Sequence, residues 1–93
     1  MSVTTAPALD LSGPWRLSPQ VSLRDEAFGA LAYHHVTRRL VFLKSRDLVQ
    51  LVRRIEEFES IGAALAELIA LSQRPRYEAA LANLVRSEIL CGR

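Results

Sequence analysis

A chain of 93 residues has room for one small domain, a size at which folding buries about 60–70% of the surface the unfolded chain exposes. Hydrophobic residues at 49% are enough for a core, and 24% charge with four glycines and four prolines excludes a disordered or fibrous protein. Twelve Lys and Arg against ten Asp and Glu leave a formal net charge of +2, too mild to demand nucleic acid as a partner.

Met1 to Pro14 mixes Ser, Thr, Pro and Gly without periodicity and reads as a flexible N-terminal tail, with the domain proper spanning residues 15–93 and Trp15 marking where order begins. Met1 to Thr5 lack the basic-then-apolar start of a secretory signal, and no apolar run approaches the roughly 20 residues of a membrane helix. From Gln20 to Glu26, Val21 and Leu23 alternate with Ser22 and Arg24, a period of two that predicts a half-buried strand. Phe28 to His35 is ambiguous: its alanines allow a helix, whereas Phe28, Gly29 and Tyr33 favour a strand. Arg39 to Lys44 has a β-branched and aromatic centre between charged ends and predicts a strand, joined to the preceding segment by a turn near Val36 to Arg38.

The period then changes. Asp47 with Gln50 offers a capping pair, and Leu48, Leu51, Val52 and Ile55 share one helical face. After a break at Phe58 to Ser60, Ser60 is the expected N-cap of a second helix with Ile61, Ala64, Leu65, Leu68 and Ile69 inward. Pro75 suits the first position of a third helix, whose stripe is Tyr77, Leu81, Leu84 and Val85, with Glu88 on the same azimuth. The layout is α+β: a three-stranded antiparallel sheet followed by three helices, in a winged helix-turn-helix-like arrangement.

Few side chains converge for chemistry. His34 and His35 are neighbours that point to opposite faces of a strand, and the glycines form no phosphate-binding loop. The single Cys91 cannot form an internal disulfide, build a four-cysteine zinc site or hold an iron–sulfur cluster, and it fits a reducing cytoplasm. A non-catalytic protein with no cofactor and no metal is expected, and binding is what remains. One mode is a helix in the DNA major groove, for which Arg76, Asn83, Arg86 and Ser87 are candidates; Glu78 and the seven acids to six bases from Asp47 onward oppose it. The other is strand addition, in which an extended peptide pairs with an edge strand. In a meander Arg39 to Lys44 is an edge. It is also part of the basic run Arg38, Arg39, Lys44, Arg46, which has no acid among its members and is either a solvated ribbon or a contact for an acidic partner. Its apolar floor is Leu40 with Phe42, or Val41 with Leu43.

The strings RDEAFGALAY (Arg24 to Tyr33) and TRRLVFLK (Thr37 to Lys44), followed by SRDLVQLVRRI and PRYEAALANLVRSEIL, resemble the mycofactocin biosynthesis peptide chaperones. That family is similar to the pyrroloquinoline quinone chaperone-like RiPP recognition elements. The resemblance covers about Trp15 to Leu90 and implies that FGALAY is a strand. It implies further that the acidic leader of the mycofactocin precursor peptide adds along the third strand, against the third helix, and passes to a radical S-adenosylmethionine (SAM) maturase. Carried onto this chain, the peptide-binding residues are Arg38, Arg39, Leu40, Val41, Phe42, Leu43 and Lys44 on the strand side, and Tyr77, Leu81 and Leu84 on the helix. For those three, core and cleft are equal alternatives. The iron–sulfur chemistry belongs to the partner, and neither nucleic acid nor membrane is a partner.

Overall fold

The computed structural model describes residues 12–93. The predicted tail falls mainly on residues 1–11, outside the described residues; Pro14 is already engaged, its carbonyl accepting from the Arg93 amide at 3.1 Å. Five strands and three helices follow: β1 Trp15–Leu17, β2 Val21–Glu26, β3 Gly29–His34, β4 Leu40–Leu43, α1 Arg46–Arg54, α2 Ile61–Leu68, α3 Arg74–Arg86 and β5 Leu90–Gly92. No helix among the described residues is long and apolar enough to cross a membrane.

β2, β3 and β4 form the expected three-stranded antiparallel sheet, with β3 in the middle. The ambiguity at FGALAY resolves as strand because Ala30, Ala32 and His34 are buried on the helix-facing side and Leu31 and Tyr33 half-buried on the other, the period of two that a central strand imposes. Two alanines on the inner face let the helices approach closely, and Leu43, Leu51, Val52, Ile55, Ile61 and Leu81 fill the space above them. In the β2–β3 hairpin Ala27 and Phe28 keep negative φ, so the unusual backbone falls on Gly29, at φ +150°. A Cβ there would overlap the Leu43 carbonyl of β4, which makes glycine necessary. The β3–β4 turn is held by buried His34, whose Nδ1 accepts from the amides of Val36 and Thr37 at 3.2 and 3.1 Å while Arg38 takes the left-handed conformation, φ +67°.

The helices follow their sequence patterns with local corrections. α1 is capped by Ser45, not Asp47: Ser45 Oγ accepts from the Leu48 amide at 3.0 Å, and Asp47 lies in the first turn, where its charge opposes the positive helix end. α1 passes into a 3₁₀ turn, Ile55–Glu57, before the break at Phe58. Ser60 caps α2 as expected, accepting from Ala63 N at 3.0 Å. A second 3₁₀ turn, Leu71–Gln73, leads into α3, whose first residue is Arg74, so Pro75 stands at the second helical position and not the first. α3 ends at Arg86; Glu88, at φ +63°, has left the helix and does not continue the stripe.

Unforeseen in the sequence is a second sheet. β1 and β5, three residues each, pair antiparallel with Trp15 opposite Gly92 and Leu17 opposite Leu90. Ile89 and Leu90 are fully buried, and the Arg93 guanidinium donates to the carbonyls of Glu56 and Phe58 at 2.9 and 2.8 Å. The ends of the domain are thereby tied to the turn after α1.

Candidate functional site

β4 is an edge: it pairs with β3 on one side and with no described residue on the other. The His34 amide donates to the Arg39 carbonyl at 2.9 Å, so in the alternating antiparallel ladder the Arg39 carbonyl and the backbone groups of Val41 and Leu43 turn toward β3. Leu40 and Phe42 turn theirs outward, as an exposed edge offers them to an extended chain.

Side chains alternate in the same rhythm. Val41 and Leu43 lie on the inner face, half-buried and fully buried, whereas Leu40 and Phe42 stand on the solvent face, 54% and 53% exposed. Of the two floors the sequence allowed, the accessible one is therefore Leu40 with Phe42. Arg38 and Arg39 precede the strand, and Lys44 and Arg46 follow it. All four are exposed, and none forms an ion pair within the described residues. Cations at both ends of an edge deter pairing with another basic chain and attract an acidic one.

At the C-terminal end of β4 a groove of about 150 Å³ opens between the strand and α3, lined by Lys44, Ser45, Leu48, Arg76, Tyr77 and Ala80. Tyr77 is anchored there: its hydroxyl and that of Ser45 are hydrogen-bonded at 3.1 Å, so the residue that caps α1 also fixes α3 against the end of β4. The Arg76 guanidinium stands 6.0 Å from the centre of the Tyr77 ring and adds a cation to the rim. The geometry thus brings Lys44 and Tyr77 to one groove. Leu81 and Leu84 are 0% and 2% exposed; they belong to the core and do not line the groove, and the same holds for Leu43 on the strand.

Sequence reasoning missed Ser45, Leu48 and Ala80 as groove residues. It placed Arg76 on a DNA-facing surface, although its position next to Tyr77 on the same helix was the available signal. Two of the other candidates for that surface bond each other, Arg86 donating to Asn83 Oδ1. A second, wider cleft of about 570 Å³ lies between the β2–β3 turn and α1, where Arg53 and Asp25 form a 2.9 Å ion pair beside Arg46 and Gln50. Among the described residues no three His, Cys, Asp or Glu side chains gather to hold a metal ion.

Comparison with known proteins adds to this geometry. Residues 14–91 match the model of the peptide chaperone MftB family. The chain is 44% identical over 77 residues to the peptide chaperone MftB of Mycolicibacterium smegmatis, covering 82% of this chain and 76% of that one. It is 40% identical over 86 residues to the protein of the same name from Mycobacterium ulcerans, covering 91% and 79%. With the Mycobacterium tuberculosis protein of that name, 50 residues align at 48% identity, covering 54% and 46%. No solved structure matches.

Proposed function

Because the chain belongs to the peptide chaperone MftB family, we propose that it binds the leader of the mycofactocin precursor peptide by strand addition and presents it to a radical SAM maturase in the cytoplasm. The observation that carries this reading is the unpaired edge of β4, bracketed by four cations and ending at the Tyr77 groove. An acidic leader, which the family resemblance implies, meets complementary charge along the strand. Its backbone completes the ladder on the outward groups of Leu40 and Phe42. In this reading the sheet and α3 serve as the wing and the last helix of a winged helix-turn-helix frame.

Nothing catalytic is required of the chaperone. A leader held on β4 keeps the rest of the precursor close to a docked maturase, and the encounter between enzyme and peptide becomes effectively intramolecular.

Titration of the purified chain with a synthetic leader peptide, against a scrambled peptide of the same composition, tests the reading. Saturable binding of the leader alone at one peptide per chain is the expected result, and equal binding or no binding of both peptides overturns it. The pair Arg39→Glu and Lys44→Glu should weaken binding by about tenfold in low salt and by less in high salt, since exposed charges are screened.

A further inference from the structure

The solvent face of the three-stranded sheet is more apolar than a free surface needs to be. Leu31 is paired with Phe42 and Tyr33 with Leu40, so these four side chains share the face turned away from the helices. Phe28, 43% exposed in the β2–β3 turn, places its ring 5.7 Å from that of Phe42. The outcome is a strip, Phe28–Phe42–Leu31 with Leu40–Tyr33, that runs out to the free edge and stops there. The two exposed side chains at its end, Leu40 and Phe42, belong to the same residues whose backbone groups point outward.

Two kinds of strand can cover such an edge, and charge decides between them. In a second copy laid antiparallel with Leu40 opposite Phe42, the Arg38–Arg39 end of each β4 would come beside Lys44 of the other, cations against cations at both ends. A peptide with acidic flanks has no such conflict.

We propose that the bound peptide carries two apolar side chains, two residues apart, which lie on the solvent face of the sheet beside Leu40 and Phe42 and extend the strip by one strand. This rests on the strand-addition reading above and goes beyond it by specifying the peptide's pattern. Side chains of an added strand alternate between faces, so residues level with Leu40 and Phe42 share their face, and the intervening residues turn toward the α3 side. The strip thereby fixes register: a slip by one residue would carry both apolar side chains to the wrong face and leave Leu40 and Phe42 uncovered.

The test uses the full chain, the synthetic leader peptide, and Leu40→Thr and Phe42→Thr, which keep strand propensity and remove apolar surface. Leu71→Thr, at an exposed leucine far along the chain from the strip, is the control. Thermal melts confirm that each variant folds. Leu40→Thr and Phe42→Thr should each bind about five- to tenfold more weakly, the size expected from losing a cross-strand apolar pair, while Leu71→Thr binds as wild type. A threonine scan of the leader should show two sensitive positions spaced by two, and their effect should shrink when the partner is Phe42→Thr. If wild type binds and both strip variants bind equally well, the apolar pattern is overturned and strand addition survives. Failure of the wild-type chain to bind the leader overturns both. A wild-type chain that sediments as a dimer and dissociates on Phe42→Thr assigns the strip to self-association and also overturns the proposal.

Discussion

Ser45 and Gly29 each hold the candidate site together at one atom. Ser45 Oγ accepts from the Leu48 amide and is hydrogen-bonded to the Tyr77 hydroxyl, so one side chain starts α1 and positions α3. Ser45→Ala should lower stability by about 1 kcal/mol through the lost cap, and the Tyr77 ring should become more mobile. Tyr77→Phe should cost less, because the cap remains; denaturant unfolding of the two variants and their double measures the coupling. Gly29 presents the opposite case, where any side chain is excluded. Gly29→Ala would force a methyl against the Leu43 carbonyl at a backbone angle of +150°, and should destabilise by about 3 kcal/mol from strain and overpacking together. Since the displaced element is β4, a second readout is the chemical shifts of Leu40 to Lys44, which should move while those of α2 stay.

For a strand only four residues long, β4 has a clear division of labour between its two edges. The inward amides are used by the fold and the outward ones are not, so proline separates the two. Leu40→Pro stands at the first strand position and removes an outward N–H; it should leave the melting temperature within a few degrees of wild type and abolish leader binding. Val41→Pro removes an inward N–H opposite Ala32 and should destabilise by about 3 kcal/mol. A binding titration beside a thermal melt distinguishes them, and equal loss of stability in both would show that the outward edge is not free. Much of this element was legible in advance. The β-branched and aromatic centre of Arg39 to Lys44 marks a strand, and the change from a period of two to one of 3.6 at Asp47 marks its end. Which alternate pair faces inward was not legible, because both Leu40 with Phe42 and Val41 with Leu43 are apolar. Only the pairing with Ala30 and Ala32 turns Leu43 and Val41 toward the helices.

At the scale of the molecule, the fold closes through its ends. β1 and β5 join residues near opposite ends of the described chain, and Leu90 is 1% exposed in the core. Ending the chain after Ile89 removes β5, the Leu90 side chain and the Arg93 bonds to the turn after α1. The loss should be about 3 kcal/mol or more, comparable to deleting a buried leucine. Hydrogen exchange should show β1 unprotected while the β2–β3 hairpin remains protected, and protection of β1 unchanged by the truncation would refute the closing role.

Taken alone, the sequence determined what is local: the strand character of β2 and β4, the three helices, the Ser60 cap, the turn before β4, and the basic run around an edge. These depend on residue spacing and on side chains reaching backbone groups two to four positions away. The tertiary structure alone decided the β1–β5 pairing, because a three-residue strand carries too little pattern to announce a partner at the far end of the chain. It also gave the Ser45 cap its second partner, the Tyr77 hydroxyl on α3. And it divided one helical stripe in two, sending Leu81 and Leu84 into the core while Tyr77 reaches the groove, since a period of 3.6 names a face of a helix and packing against β4 and α1 determines where along that face the core ends.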